Sequence, residues 1–135
     1  KKPLIIVDCG TAISIDMVNN KREHLGGYIL GGFDGYSKAF KDAYHLKNIR
    51  IKEDAVLKKK NFPNKTEDGL TEGYLLMVTS AIENTYEKIK KNQKISPQLL
   101  ISGGYGKIIS KRLSIKNKYE PDLVLKSIGL IANNL

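Results

Sequence analysis

Three strand-like segments crowd into residues 4–30, and the turns between them are too short to hold a helix. Leu4-Ile5-Ile6-Val7 is a continuous apolar run, the pattern of a strand buried on both faces. It ends at Asp8, and Gly10 permits a tight turn there. From Ala12 to Val18 apolar and small polar residues alternate, which puts Ile13, Ile15 and Met17 on one face of a second strand. Asn19-Asn20-Lys21 is turn chemistry. His24 to Leu30 then reads as a third strand, broken by the Gly26-Gly27 pair. Strands this close in sequence pair as an antiparallel meander, so an all-helical fold is excluded at the outset.

The rest of the chain changes period. Residues 36–44 form a short helical pattern, and residues 47–65, which include Pro63, read as loop and turn. A long helix follows, with Thr66 as its cap and Glu67 and Asp68 in the first turn, where acids suit the helix dipole. Leu70, Tyr74, Met77, Val78, Ala81, Ile82 and Ile89 keep helical spacing along it, and Lys88, Lys90 and Lys91 close it. Leu99-Leu100-Ile101 is a short buried strand, Ser102-Gly103-Gly104 turns out of it, and a helix runs from Tyr105 to Leu113. Leu123-Val124-Leu125 is the last strand candidate, and residues 126–134 read as a closing helix. The expected order, β-β-β-α-α-β-α-β-α, describes an α/β fold: a mixed sheet carrying a three-stranded antiparallel meander, with helices flanking it.

The chain has 135 residues, 41% hydrophobic and 27% charged, which is the size and composition of one globular domain. A single cysteine, Cys9, rules out an internal disulfide framework and a multi-cysteine zinc site. No apolar run approaches the roughly 18 residues of a membrane helix. Lys1-Lys2-Pro3 precedes only four apolar residues, which is not the pattern of a secretory signal. A cytoplasmic domain is the expectation. The absence of an initial Met, directly before a strand, reads as part of a longer protein.

Net charge is +9, but only Arg22, Arg50 and Arg112 are arginine. Base-edge readout and bidentate phosphate grips favour Arg over Lys. No helix-turn-helix, zinc-finger or RNA-binding aromatic pattern is present. The charge therefore reads as a solvated lysine surface with general attraction to polyanions, and sequence-specific DNA binding finds no support.

Three short motifs bear chemistry. Asp8-Cys9-Gly10-Thr11-Ala12 joins the first two strands. Glycine there lets backbone N–H groups approach phosphate oxygens, Thr11 adds a hydroxyl, and Asp8 can hold a cation or a water. The competing reading is a plain β-turn with Asp8 as local acceptor. Gly26-Gly27-Tyr28-Ile29-Leu30-Gly31-Gly32 weakens a strand with glycine, the mark of a bulge, a tight turn or a close neighbour. Ser102-Gly103-Gly104 stands between a strand and a helix, where it can present backbone to a nucleotide or admit a flat base. Neither a Rossmann nor a P-loop pattern occurs. Asp16 faces either a cleft or a surface lysine. His24 and His45 lack partners at metal-ligand spacing, and Cys9 reads as a small apolar filler.

Taken in order, these motifs resemble type III pantothenate kinases. Residues 7–16, Val-Asp-Cys-Gly-Thr-Ala-Ile-Ser-Ile-Asp, are similar to the family's second phosphate motif, D-A-G-T-A-x-T-x-D. His24 to Gly32 resembles its G-G-x-I-x-P-G segment, and Lys65 to Gly73 its N-T-x-x-A-x-x-x-G stretch. Ile101-Ser102-Gly103-Gly104 resembles the T-G-G adenosine turn, and residues 121–125 the C-terminal P-x-L-V-x segment.

The resemblance implies an actin-like ATPase (ribonuclease H-like) domain, with residues 1–135 as the C-terminal half of a two-domain kinase. It implies transfer of the ATP γ-phosphate to pantothenate, the first step of coenzyme A synthesis, with Mg²⁺, a monovalent cation such as K⁺ or NH₄⁺, and a homodimer. By position Asp8 matches the monovalent-cation ligand and Gly10 and Thr11 the ATP-contacting turn. Gly103 and Gly104 match the adenine site, and Thr66 a pantothenate contact near the dimer interface. The first phosphate motif, D-x-G-N-T, and the G-x-D-R motif with the general base are absent from this sequence. Both are expected upstream, so no catalytic residue is assigned here. Gly31, Cys9 and Ser14 replace the usual Pro, Ala and Thr. Family members are also labelled accessory factors for transcription, which makes a noncatalytic regulator on the same fold the alternative.

Overall fold

The structure, a computed structural model, describes residues 1–44, 49–51 and 62–134. The expected loop over 47–65 lies largely outside them, as does His45. The elements run β1 (Leu4–Cys9), β2 (Ala12–Val18), β3 (His24–Gly31), α1 (Phe33–Tyr44), α2 (Thr66–Gln93), β4 (Gln98–Ser102), α3 (Gly106–Arg112), β5 (Lys118–Tyr119) and α4 (Leu123–Ala132). The expected order of elements holds.

The strands form one five-stranded sheet in the order β3-β2-β1-β4-β5. β1 pairs antiparallel with β2 and β2 with β3, which is the expected meander, and β1 pairs parallel with β4. The short β1–β2 connection forces the antiparallel pairing, whereas β4 is reached only after the long α2 crossover. One register irregularity falls between Met17 and Val18, opposite Gly26, whose φ of 101° only glycine adopts at ease.

Alternate residues of the three central strands enter one core. Ile5, Val7 and Cys9 of β1, Ile13 and Ile15 of β2, and Leu99 and Ile101 of β4 pack with Tyr74, Leu75, Val78 and Ile82 of α2, Phe33 of α1, and Ile108 and Ile109 of α3. The opposite row, Leu4, Ile6 and Asp8, is only partly buried. α2 spans 28 residues, about 42 Å at helical rise. Its buried face, Thr71, Tyr74, Leu75, Val78, Ile82, Thr85 and Ile89, keeps the expected helical period, although Met77 turns outward.

Two expectations are corrected. Thr66 does not cap α2: it is the first helical residue, Lys65 stands at the cap, and no side-chain bond is made there. Leu123-Val124-Leu125 is not a strand; it is the first turn of α4, and the edge strand lies upstream at Lys118–Tyr119. A three-residue apolar run has no period to tell strand from helix. Among the described residues no helix is long and apolar enough to cross a membrane.

Candidate functional site

The C-terminal end of β1 is where the glycine-containing turns meet. Gly10 N–H donates to the Ala12 carbonyl at 3.0 Å, closing the β1–β2 turn. Gly32 N–H donates to the Thr11 carbonyl at 3.1 Å, which presses the β3–α1 turn onto it. A Cβ at Gly32 would collide with the Thr11 carbonyl and lie 2.6 Å from the Gly10 carbonyl oxygen. From the other side Gly103, at φ 88°, backs onto Cys9, where a Cβ would meet the carbonyl oxygen at 2.5 Å. Tyr105 N–H donates to the same Cys9 carbonyl at 3.3 Å. Only glycine lets these backbones approach so closely.

Asp8 stands within this frame. In register it pairs with Ser14 on β2 and Ser102 on β4, so all three side chains share one face of the sheet. Asp8 is partly buried, Ser102 buried, and Gly10 and Thr11 exposed. The expected residues Asp8, Gly10, Thr11, Gly103 and Gly104 are thus gathered at one strand end, the place where open α/β sheets take ligands. Thr66 is not gathered with them. It is exposed at the start of α2, about 12 Å along the helix from Tyr74.

An aromatic floor supports the turns. Phe33 meets Tyr74 and Tyr105 edge-on, with ring centroids 5.1 and 5.6 Å away, and Tyr36 lies 5.0 Å from Tyr74. Tyr74 donates its hydroxyl to the Gly31 carbonyl at 3.1 Å, and Tyr105 donates to Asp34 Oδ1 at 2.8 Å. Burial holds the Tyr74 phenol protonated well above its ordinary range. Tyr105 is raised too, first by burial and then by its bond to Asp34. The sequence reading missed this floor. Phe33, Tyr36 and Phe40, at helical spacing just after Gly32, were the available signal.

Cys9 fills the core as expected, fully buried. Burial, and then the negative charge of Asp8, pushes its thiol up to about 12, so it is no nucleophile at neutral pH. Asp16 was open between a cleft and a surface lysine; its ionic partner is His24 and not a lysine. It accepts Ser14 Oγ at 3.0 Å and lies 2.9 Å from His24 Nε2. Asp16 and Asp34 are therefore both engaged with local partners.

The side chains paired in register at this strand end carry oxygen: the Asp8 carboxylate and the hydroxyls of Ser14 and Ser102. That chemistry fits a hard cation. Among the described residues no three His, Cys, Asp or Glu side chains converge as a metal cluster.

Residues 1–88 match the sequence profile of a family described as type III pantothenate kinase. A type III pantothenate kinase of Persephonella marina is 35% identical over 128 residues, covering 94% of this chain and 49% of that protein. One of Sulfurihydrogenibium sp. is 32% identical over 127 residues, covering 93% of this chain and 49% of that protein. The chain thus spans about half the length of these curated relatives. Among solved structures, that of a conserved putative Baf family transcriptional activator from Campylobacter jejuni superimposes with a TM-score of 0.73 at 25% identity. That match covers 98% of this chain and 58% of that one.

Proposed function

This chain belongs to the type III pantothenate kinase family, and from that premise we propose that it is the C-terminal half of an actin-like kinase that phosphorylates pantothenate with ATP. The observation that carries the reading is the convergence of Gly10, Gly32 and Gly103 on the end of β1 beside Asp8. Phosphoryl transfer is mostly positioning and charge stabilisation, and such a frame is half of a phosphate clamp. In this reading Gly10 and Thr11 hold the ATP phosphates, and Gly103 and Gly104 border the adenine. Asp8 binds the monovalent cation, K⁺ or NH₄⁺. That cation, together with Mg²⁺ on the phosphates, supplies positive charge where negative charge accumulates. Thr66 meets pantothenate at the interface of a cytoplasmic homodimer. The general base comes from the half that this chain does not span, so the chain is inactive alone.

The test is ADP release by the natural gene product with ATP, Mg²⁺ and pantothenate, in K⁺ and then in Na⁺. Pantothenate-dependent release that needs K⁺ is the expected result. No release in either salt from folded protein overturns the kinase reading.

A second reading, a noncatalytic regulator, draws on the likeness to the putative transcriptional activator of Campylobacter jejuni. A groove lined by Lys88, Lys90, Lys91 and Lys94, with Glu87 and Ser96, gives it a basic surface. Retention on heparin or DNA that falls steeply with salt would favour it.

A further inference from the structure

The +9 charge is not spread evenly over the fold. Leu4 of β1 faces Val18 on one side and Gln98 on the other, and Val18 faces His24. The β2–β3 turn and the connection from α2 to β4 therefore share one end of the sheet with Lys1 and Lys2. Gln98 N–H fastens that connection to the Pro3 carbonyl at 2.8 Å. Lys21 and Arg22 belong to the turn, and Lys88, Lys90, Lys91 and Lys94 line a groove at the close of α2. All six are exposed. Within residues 19–23 and 87–96 the acids are Glu23 and Glu87. Glu23 accepts Asn19 Nδ2 at 2.6 Å, and Glu87 pairs with Lys90 at 3.3 Å. Among the described residues Lys21, Arg22, Lys91 and Lys94 have no acidic partner. Asp8, Asp34, Glu67 and Asp68 stand at the other end, where β1 finishes and α1 and α2 start. Lysine in the last turn of α2 answers the helix dipole. That accounts for neither Lys21 nor Arg22, which come from a different element.

We propose that this end of the sheet is a second binding surface, for the phosphate backbone of a nucleic-acid duplex, separate from the nucleotide frame at the other end. Lysine sets the chemistry: point charges bind phosphate without reading bases. The β2–β3 turn and the α2–β4 connection stand two to three strand spacings apart, about 10–14 Å. Cations at that separation reach phosphates on both sides of a major groove about 12 Å wide. A duplex carries one negative charge per roughly 1.7 Å of axis, so unpaired cations gain by releasing its counterions. Other anionic partners fit less well. Single strands are held by stacking on aromatic rings, and residues 19–23 and 87–96 contain none. A lipid surface calls for an apolar face beside the cations, and in these segments the one large exposed aliphatic is Ile95. A protein interface calls for an apolar centre, which the same segments lack. The surface goes beyond both readings of the function, since a kinase and a regulator can each carry it.

The probe is a fluorescein-labelled DNA duplex of about 20 base pairs, in two unrelated sequences, titrated with the natural gene product and read by anisotropy. Equal affinity for the two sequences is expected, with Kd rising steeply between about 50 and 200 mM KCl. Contact with about five phosphates gives a log–log slope of about −4.5, a loss of roughly 500-fold across that range. The double variant K21E/K91E takes one cation from each segment, and neither has an ionic partner to lose. It should weaken binding at least about tenfold and flatten the slope by about two, with the melting temperature unchanged. K38E/K65E makes the same charge change on α1 and at the cap of α2, and should weaken binding less than about threefold. Equal loss in both variants overturns the proposal, because the attraction then belongs to net charge and not to this surface. Absence of binding at the lower salt overturns it too. So does a higher affinity, at the same salt, for the matching single strand or for phosphatidylserine vesicles. Displacement of the duplex by Mg-ATP at matched ionic strength overturns the separation of the two ends. None of these outcomes touches pantothenate-dependent ADP release, which decides the kinase reading by itself.

Discussion

Tyr105 donates its phenolic proton to Asp34 Oδ1 at 2.8 Å, and so links the turn after β4 to the first turn of α1. The two residues are 71 positions apart, and the bond spans the glycine turns at the end of β1. Phe33, next to Asp34, packs edge-on against the same tyrosine ring. Tyr105→Phe keeps that packing and removes only the hydroxyl. A stability loss of about 0.5–1.5 kcal/mol is expected from denaturant titration. ATP affinity in the natural gene product should fall as well if this bond sets the spacing of the two turns. An unchanged affinity would show that the frame keeps its spacing without the bond.

Gly103 and Gly104 make a paired test. Gly103→Ala places a Cβ 2.5 Å from the Cys9 carbonyl oxygen at a φ of 88°, and should cost at least about 2 kcal/mol. Gly104 opens onto empty space, so Gly104→Ala should change stability by less than about 0.5 kcal/mol. Any loss of ATP binding in the second variant then reports a ligand contact and not a folding defect. Equal melting temperatures for the two variants would contradict the close approach of Gly103 to β1.

The sequence made the meander legible because short turns and alternation leave few alternatives, and the glycine motifs marked where backbones would come close. The side-chain pairings were harder to see. Asp16 reaches His24 because its partner across the strands, Gly27, has no side chain in the way, and because the irregularity after Met17 brings His24 opposite Val18. Neither the bulge nor its register can be counted from the sequence. α4 was misread in its first turn for a related reason: aliphatic residues that face outward carry the same letters as those that face a core. The structure brings Asp8, Thr11 and Gly103 to one strand end, whereas Thr66 stands at the start of α2.

Alkaline pH should destabilise the fold through the residues packed beneath the site. Burial lifts the Cys9 thiol from 9.0 to about 12 and also raises the Tyr74 phenol. The folded state holds these protons more tightly than the unfolded chain does. Their contribution is therefore whole below about pH 9 and is lost as pH rises towards 12. Cys9→Ala removes one of the two titrations, at a cost near neutral pH of about 1 kcal/mol for the lost sulfur contacts. Unfolding curves at several alkaline pH values should give the variant a slope shallower by up to about 1.4 kcal/mol per pH unit. Identical slopes would mean that the thiol is free to ionise in the folded state.

Asp8 and Asp16 stand on the same face of the sheet, two pairs apart in the β1–β2 register, and they separate a cation role from a structural one. Asp16 is bonded to Ser14 and His24. Asp16→Asn weakens those contacts and should lower the melting temperature while leaving the K⁺ requirement proposed for the natural gene product unchanged. Asp8 sits instead between two serines at the strand end, where Asp8→Asn keeps shape and removes charge. Losing one unit of negative charge beside a partly hydrated cation is worth roughly 1–2 kcal/mol, so half-maximal activation should need about tenfold more K⁺. The melting temperature of this variant should stay near that of the parent. If Asp8→Asn leaves the K⁺ titration in place and Asp16→Asn shifts it, the cation lies further along the sheet, and the strand-end carboxylate serves only to position the turn that follows it.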